Sequence, residues 1–132
     1  MSKFNLEIVT PERKFFEGEV EMVVARSVTG DIAILNNHIP LVTPLEISII
    51  KLKIDGDTKK ASISSGYMEV TKGKTTIIVD AAEWPDEIDL ERAKKARERA
   101  EKRLKAEKDS SDVARAEMAL RRAINRIEAK DN

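Results

Sequence analysis

The sequence predicts an α+β chain: an N-terminal all-β sandwich followed by a C-terminal antiparallel two-helix hairpin. Three observations carry this. The hydrophobic period changes from two to between three and four near residue 86. All five glycines and all four prolines lie in residues 1–85. The composition after Pro85 turns abruptly to Ala, Glu, Lys and Arg, which are good helix formers.

In the first part, "FNLEIV" alternates Phe4, Leu6 and Ile8 against Asn5 and Glu7. "EVEMVV" alternates Val20, Met22 and Val24 against acids, and "ISIIKLKI" and "KTTIIVDA" continue in β-branched residues. Turn signals separate these runs at Thr10-Pro11, Gly30-Asp31, Asn36-Asn37, Asp55-Gly56-Asp57, Ser65-Gly66 and Lys72-Gly73. Short strands at this spacing predict a sandwich or barrel. The domain boundary falls in "WPDEID", giving residues 1–86 and 87–132, with Asp86 or Asp89 available to cap the first helix. Leu90, Ala93, Ala96, Ala100 and Leu104 make one apolar stripe. "KDSSD", residues 108–112, supplies loop and cap residues, and Val113, Ala116, Leu120, Ala123 and Ile127 form a second seam at helical spacing. So short a connection favours an antiparallel pair.

Charge narrows the function classes. The 132 residues hold 24 basic and 24 acidic side chains, so overall charge points to no polyanion. The balance is uneven: residues 1–86 sum to −3 and residues 87–132 to +3. With no cysteine and one histidine, thiolate and histidine-cluster metal sites are not expected. No Ser/His/Asp arrangement has support, so no catalytic residue is assigned. Aromatic residues are only 4% of the chain, which argues against single-stranded nucleic acid, a ligand bound by stacking. The start resembles neither a signal nor a transit peptide, and no apolar run approaches membrane-spanning length, so the expectation is a soluble protein of the bacterial cytoplasm.

Two short motifs look chemical and are read as structural. Gly73-Lys74-Thr75 resembles the end of a phosphate-binding loop, but Met68 stands where that motif needs glycine and a strand follows where it needs a helix. It is read as a β-turn. His38 is read as a structural or contact residue, and Trp84 as packing at the hinge.

The helical half holds a stronger pattern. Arg92, Arg99 and Arg103 fall at offsets 0, 7 and 11, and Arg115, Arg122 and Arg126 repeat those offsets. At about 100° per residue each set forms one narrow line. In an antiparallel pair both lines land on the same flank. Arg92 has Asp89 three before it, Arg115 has Asp112, and Arg103 has Glu107 four after it. Off the flank, Arg97 faces Glu101 and Arg121 faces Glu117. Arg99, Arg122 and Arg126 have no acid three or four residues away. Guanidinium suits phosphate because its planar fork binds bidentately. The residues alone leave three readings open: a solvated face, an anion site, or contact with an acidic partner.

Two further stretches carry a family resemblance. "TGDIAILNNHIPLVTPL" is similar to the Gly-Ile-Leu-Pro-x-His-x-Pro-Leu signature of the epsilon subunits of bacterial F-type ATP synthases. Gly30, Ile34, Leu35, His38, Pro40 and Leu41 hold the pattern, and Asn36 replaces its usual proline. "SSGYMEVTKGKTTIIVDAAEWPDEIDLERA" resembles the segment that ends the family's sandwich, and Ile88 to Ala93, "IDLERA", resembles its ATP-binding motif. The resemblance implies that Glu83, Ile88, Asp89, Arg92 and Ala93 surround the adenosine end of a regulatory ATP, with Arg99, Arg122 and Arg126 at the phosphates. It implies a non-catalytic rotor subunit at the cytoplasmic face of the bacterial membrane. The sandwich would dock on the gamma subunit and the c-ring, helping couple proton flow to ATP synthesis. The tail, when extended toward the alpha and beta subunits, would inhibit ATP hydrolysis. A free-standing nucleotide-sensing module and a helical adaptor for an acidic protein are the alternatives.

Overall fold

The computed structural model describes residues 2–106 and 109–131. The chain divides into two compact units, residues 1–84 and 85–132.

The first unit is a sandwich of ten strands: β1 (Phe4–Val9), β2 (Lys14–Val20), β3 (Met22–Ser27), β4 (Gly30–Leu35), β5 (Leu41–Leu45), β6 (Ser48–Ile54), β7 (Asp57–Ile63), β8 (Gly66–Thr71), β9 (Lys74–Val79) and β10 (Ala82–Glu83). They form two five-stranded sheets, ordered β2-β1-β9-β8-β5 and β10-β7-β6-β3-β4. β1 runs parallel to β9 and the other pairs are antiparallel. The inward faces supply the core, with Leu6, Ile8, Val20, Val23, Ile50, Leu52, Met68 and Ile77 fully enclosed. Each such side chain contributes roughly 1.5–3 kcal/mol of burial.

Most turns follow the signals in the sequence. Asp55 and Gly56 both take positive φ, 50° and 85°, the geometry of a two-residue hairpin turn between β6 and β7. Lys72 and Gly73, the glycine at φ 77°, turn β8 into β9, so Gly73 ends a hairpin turn and Lys74 and Thr75 are the first residues of β9. His38 is exposed, and its Nδ1 donates to the Ile39 carbonyl at 2.7 Å.

"EVEMVV" differs from its expected single alternation. Val20 ends β2 in one sheet and Met22 begins β3 in the other, so the chain changes sheets at Glu21. The extra residue reverses the inward parity, and Val23 and Ala25 are buried while Met22 and Val24 are half-buried. Glu21 secures the crossing. Its amide donates to the Lys53 carbonyl at 2.8 Å, and its carboxylate accepts the Gly56 amide at 2.9 Å.

At the end of the sandwich, Trp84 stacks on Phe15 with centroids 4.3 Å apart and meets Phe16 edge-on at 6.2 Å. The Lys59 ammonium lies 5.3 Å from its ring centroid. Arg13 adds a hydrogen bond to the Ala82 carbonyl at 3.3 Å. These contacts fix the last strand to the sandwich up to Trp84.

The second unit opens with a 3-10 turn, Pro85–Glu87, followed by α1 (Leu90–Ala106) and α2 (Ser110–Asp131). Lys130 Nζ, at the end of α2, donates to the Pro85 carbonyl at 3.0 Å before α1 begins, so the helices run antiparallel. Ala93 and Ala100 of α1 are buried, as are Ala116, Ala123, Ile127 and Ala129 of α2. Asn125 is buried as well, a polar residue outside the expected seam. Leu90, Leu104, Val113 and Leu120 are only half-buried. Apart from Ile127, the buried apolar residues of these helices are therefore alanines, which bury little area each.

Both helices start on an aspartate. Asp89 Oδ1 accepts the Arg92 amide at 3.1 Å. Asp109 Oδ1 accepts the Ser111 hydroxyl at 2.7 Å and the Ser111 amide at 2.8 Å. Those bonds, the hydroxyl's first and the amide's second, hold the Asp109 carboxyl below its ordinary pKa. A depressed native pKa makes the cap fully stabilising above the unfolded value, about 3.9. The contribution is lost as pH falls through the native value. A carboxyl NMR titration should place the Asp109 midpoint below that of a free aspartate, and Ser111→Ala should raise it. An unshifted midpoint would show that the cap is not formed in solution.

Candidate functional site

The helical unit brings most of the expected site residues together. The cap turn holds Asp89, Arg92 and Ala93 in one helical turn, with the Ala93 amide donating to the Asp89 carbonyl at 3.0 Å. Ile88 and Ala93 face inward, at 3% and 0% exposure. Arg92 and Arg99 project from α1 and Arg122 from α2, all three exposed. Arg126 differs: it is half-buried and carries interactions of its own. Glu83 lies in the other unit, on β10, opposite Ser62 of β7.

The register follows from the packing. Ala93 and Ala100 on α1 are buried seven residues apart, as are Ala116 and Ala123 on α2. Lys130 reaching Pro85 sets the opposite ends level. Arg92 then lies at about the level of residue 124, between Arg122 and Arg126, and Arg99 lies roughly 10 Å further along α1 at 1.5 Å per residue. Arg92, Arg122 and Arg126 thus belong to the half of the hairpin nearest Pro85, and Arg99 lies at the middle of α1.

Local ion pairing separates the arginines as the sequence predicts in two cases. Arg97 Nε lies 3.6 Å from Glu101 Oε1, and Arg115 Nη1 lies 3.9 Å from Asp112 Oδ1. Arg121 turns Nη1 to the Met118 sulfur at 3.8 Å. The expected Arg103–Glu107 pair falls outside the described residues, because Glu107 is not among them. Asp89 meets Arg92 through the backbone amide, leaving the guanidinium to project. Such a flank can hold a polyanion by charge-assisted, bidentate hydrogen bonds. Among the described residues no three His, Cys, Asp or Glu side chains gather as a metal site. No described helix is long and apolar enough to cross a membrane.

A second surface was missed from the sequence. The outer face of the β5-β8-β9 sheet exposes Val42, Tyr67 and Ile78 at 69%, 61% and 51%. Beside it lies an open cleft of about 570 Å³, lined among others by Val9, Pro44, Gly66, Tyr67, Ile78 and Asp80. The signal available was the doubled apolar pair Ile77-Ile78, which places an isoleucine on each face of β9.

The comparisons agree with this architecture. Residues 3–85 match the family of the ATP synthase Delta/Epsilon chain beta-sandwich domain, and residues 86–131 match its long alpha-helix domain. The ATP synthase epsilon chain of Alkaliphilus metalliredigens is 50% identical over 126 residues, covering 96% of this chain and 94% of its own. That of Bacillus velezensis is 44% identical over 132 residues, with both chains fully covered. Among solved structures, a chain of the mitochondrial ATP synthase of Euglena gracilis matches with TM-score 0.85 at 23% identity, covering all of this chain and 83% of its own. A chain of the Tetrahymena thermophila mitochondrial enzyme matches with TM-score 0.65 at 15% identity, covering 98% and 97%, so the fold persists where little sequence does. With both units matched in order and relatives close to half identical along the whole length, the chain belongs to the ATP synthase epsilon-chain family and is a non-catalytic subunit of that complex.

Proposed function

We propose that this chain is a rotor subunit whose sandwich docks on the gamma subunit and the c-ring and whose helical unit is an ATP-controlled brake on hydrolysis. The exposed apolar face around Tyr67 and Ile78 supports a protein-docking role for the sandwich. The Euglena chain was solved within an OSCP/F1/c-ring assembly and the Tetrahymena chain within a central stalk/c-ring structure, which supports the rotor position. Through that position the chain would sit peripherally at the cytoplasmic face of the bacterial membrane. In the extended state the tail would reach the alpha and beta subunits.

The observation that carries the nucleotide reading is the exposed arginine flank of a hairpin held together mostly by alanine. Folding brings Arg92 and Arg99 of one helix beside Arg122 and Arg126 of the other. Asp89, Ile88 and Ala93 form the turn next to them, at the adenosine end. A triphosphate bridging both helices would stabilise the folded form.

Calorimetry of the chain with ATP tests it. Arg99→Ala, Arg122→Ala and Arg126→Ala should each weaken binding by about 1.5–3 kcal/mol, the range for charged hydrogen bonds. Arg97→Ala and Arg121→Ala, off the flank, should change little. Equal losses at all five positions would mean diffuse charge attraction and would remove the site.

A further inference from the structure

Arg103 and Arg115 belong to the arginine lines but not to the nucleotide reading, and their place follows from a repeat. Residues 86–108 and 109–131 are successive stretches with one pattern. Asp89, Arg92, Ala93, Arg99, Ala100 and Arg103 of the first return as Asp112, Arg115, Ala116, Arg122, Ala123 and Arg126 in the second. The structure keeps the correspondence. Ala93, Ala100, Ala116 and Ala123 are buried, and Arg92, Arg99, Arg115 and Arg122 are exposed. Two antiparallel copies of one helix are related by a pseudo-twofold axis perpendicular to the hairpin plane, which keeps the flank on its side and exchanges its ends. Ala96 and Ala119, equivalent in the repeat and both half-buried, sit level at that axis. Near Pro85, Arg92 of α1 lies level with the gap between Arg122 and Arg126 of α2. The axis carries that triad onto Arg115 of α2, level with the gap between Arg99 and Arg103 of α1. The two triads are centred about 14 Å apart along the hairpin, at 1.5 Å per residue.

We propose that Arg99, Arg103 and Arg115 form a second anion site, for a chain of phosphates without a base, such as inorganic di- or triphosphate. All three are exposed. Arg99 has Lys95, Lys102 and Arg103 at helical-neighbour spacing, like charges that repel until an anion fills the space between them. Arg115 meets Asp112 at 3.9 Å, the long end of an ion pair, which leaves its planar fork to offer a phosphate bidentate bonds. The departures from the repeat set the specificity. Ile88, 3% exposed, precedes Arg92 by four residues, and its counterpart before Arg115 is Ser111, exposed and donating its hydroxyl to Asp109 at 2.7 Å. A polar serine thus stands where the first triad has an apolar wall for a base. Met118 and Asn125, beside Arg122, correspond to Lys95 and Lys102 beside Arg99, so the second triad carries more positive charge. It selects phosphate charge and is blind to the nucleoside. The site shares Arg99 with the nucleotide reading but does not rest on it, because it follows from the repeat and the packing of the hairpin.

Calorimetry on the full chain carrying Arg92→Ala with Arg122→Ala isolates the second triad, because it removes two arginines of the first. Both positions are exposed, so the hairpin and its helicity should be kept. Inorganic tripolyphosphate should still bind, one per chain, and ATP should bind this variant no more tightly. Adding Arg115→Ala should weaken tripolyphosphate binding at least about tenfold, the loss of one charged contact. Arg115→Lys should weaken it as well, since lysine keeps the charge and loses the fork. Lys105→Ala, exposed on the opposite side of α1, should change it less than about twofold, as a solvated surface charge would. Failure of the Arg92/Arg122 variant to bind tripolyphosphate overturns the proposal. So do equal losses at Arg115 and Lys105, or full binding by Arg115→Lys, because either would mean diffuse charge attraction. ATP binding by the unaltered chain with no tripolyphosphate binding by the variant would remove the second site and leave the nucleotide reading standing. Tripolyphosphate binding through Arg115 in a chain that does not bind ATP would keep the second site and remove the nucleotide reading.

Discussion

Gly66→Ala should be the most damaging single methyl in the sandwich. A Cβ built on Gly66 would overlap the Ile78 carbonyl oxygen and lie 2.7 Å from Val79 Cα and 2.9 Å from the Ile78 carbonyl carbon. All three are backbone atoms of β9, so no side-chain rotation relieves the clash. β8 is also the middle of three strands. Gly66 pairs with Val79 on one side and Leu45 on the other, so moving away from β9 drives the strand into β5. The expected cost exceeds about 3 kcal/mol, above the usual range for overpacking. For a unit of this size that lowers Tm by about 12 °C or more. Gly18→Ala is the control. Its Cβ would meet only the Phe16 ring, at 3.3 Å, which can shift. Equal melting of the two variants would mean that β8 and β9 are not paired as described.

The sequence carried this architecture through period and punctuation. The alternation in "FNLEIV" placed Phe4, Leu6 and Ile8 inward, and all three are buried. Asp89 and the Asp-Ser-Ser-Asp run marked both helix starts by cap chemistry, which is local and therefore readable. Non-local features were not readable in the same way. The change of sheet at Glu21 depends on Lys53 and Gly56, more than thirty residues away, and nothing in "EVEMVV" announces it. The need for glycine at 66 comes from how closely β9 approaches, again a distant partner. At the arginine flank, offsets and neighbouring acids singled out Arg99 and Arg122, which the structure leaves exposed. They did not separate Arg126, whose half-burial depends on tertiary packing.

ATP should release inhibition of hydrolysis in the assembled complex, and removing residues 87–132 should abolish both the inhibition and its response to ATP. The reasoning begins with the hairpin. Arg92 and Arg99 lie on α1 and Arg122 and Arg126 on α2, so only the folded tail offers them together to one triphosphate. An extended tail separates them and should bind ATP poorly. A ligand stabilises the state it prefers by RT ln(1 + [L]/Kd), about 2.7 kcal/mol at 100 times Kd. That moves an evenly balanced tail to about 99% folded. Such a balance follows from an interface that is alanine-rich and whose larger side chains, Ile127 apart, are only half-buried: Leu90, Leu104, Val113 and Leu120. Truncation should leave assembly intact, since residues 1–84 form a compact unit with its own enclosed core. Arg122→Ala combined with Arg126→Ala should act differently from truncation. The brake should remain, and more ATP should be needed to release it, so the concentration giving half-maximal hydrolysis should rise by at least about tenfold for the loss of two charged contacts. Hydrolysis assays on complexes reconstituted with the three chains, across a range of ATP, separate these outcomes. A truncated chain that still inhibits would place the brake in the sandwich. A double variant with an unchanged ATP response would show that the arginine flank binds something other than the nucleotide that controls the tail.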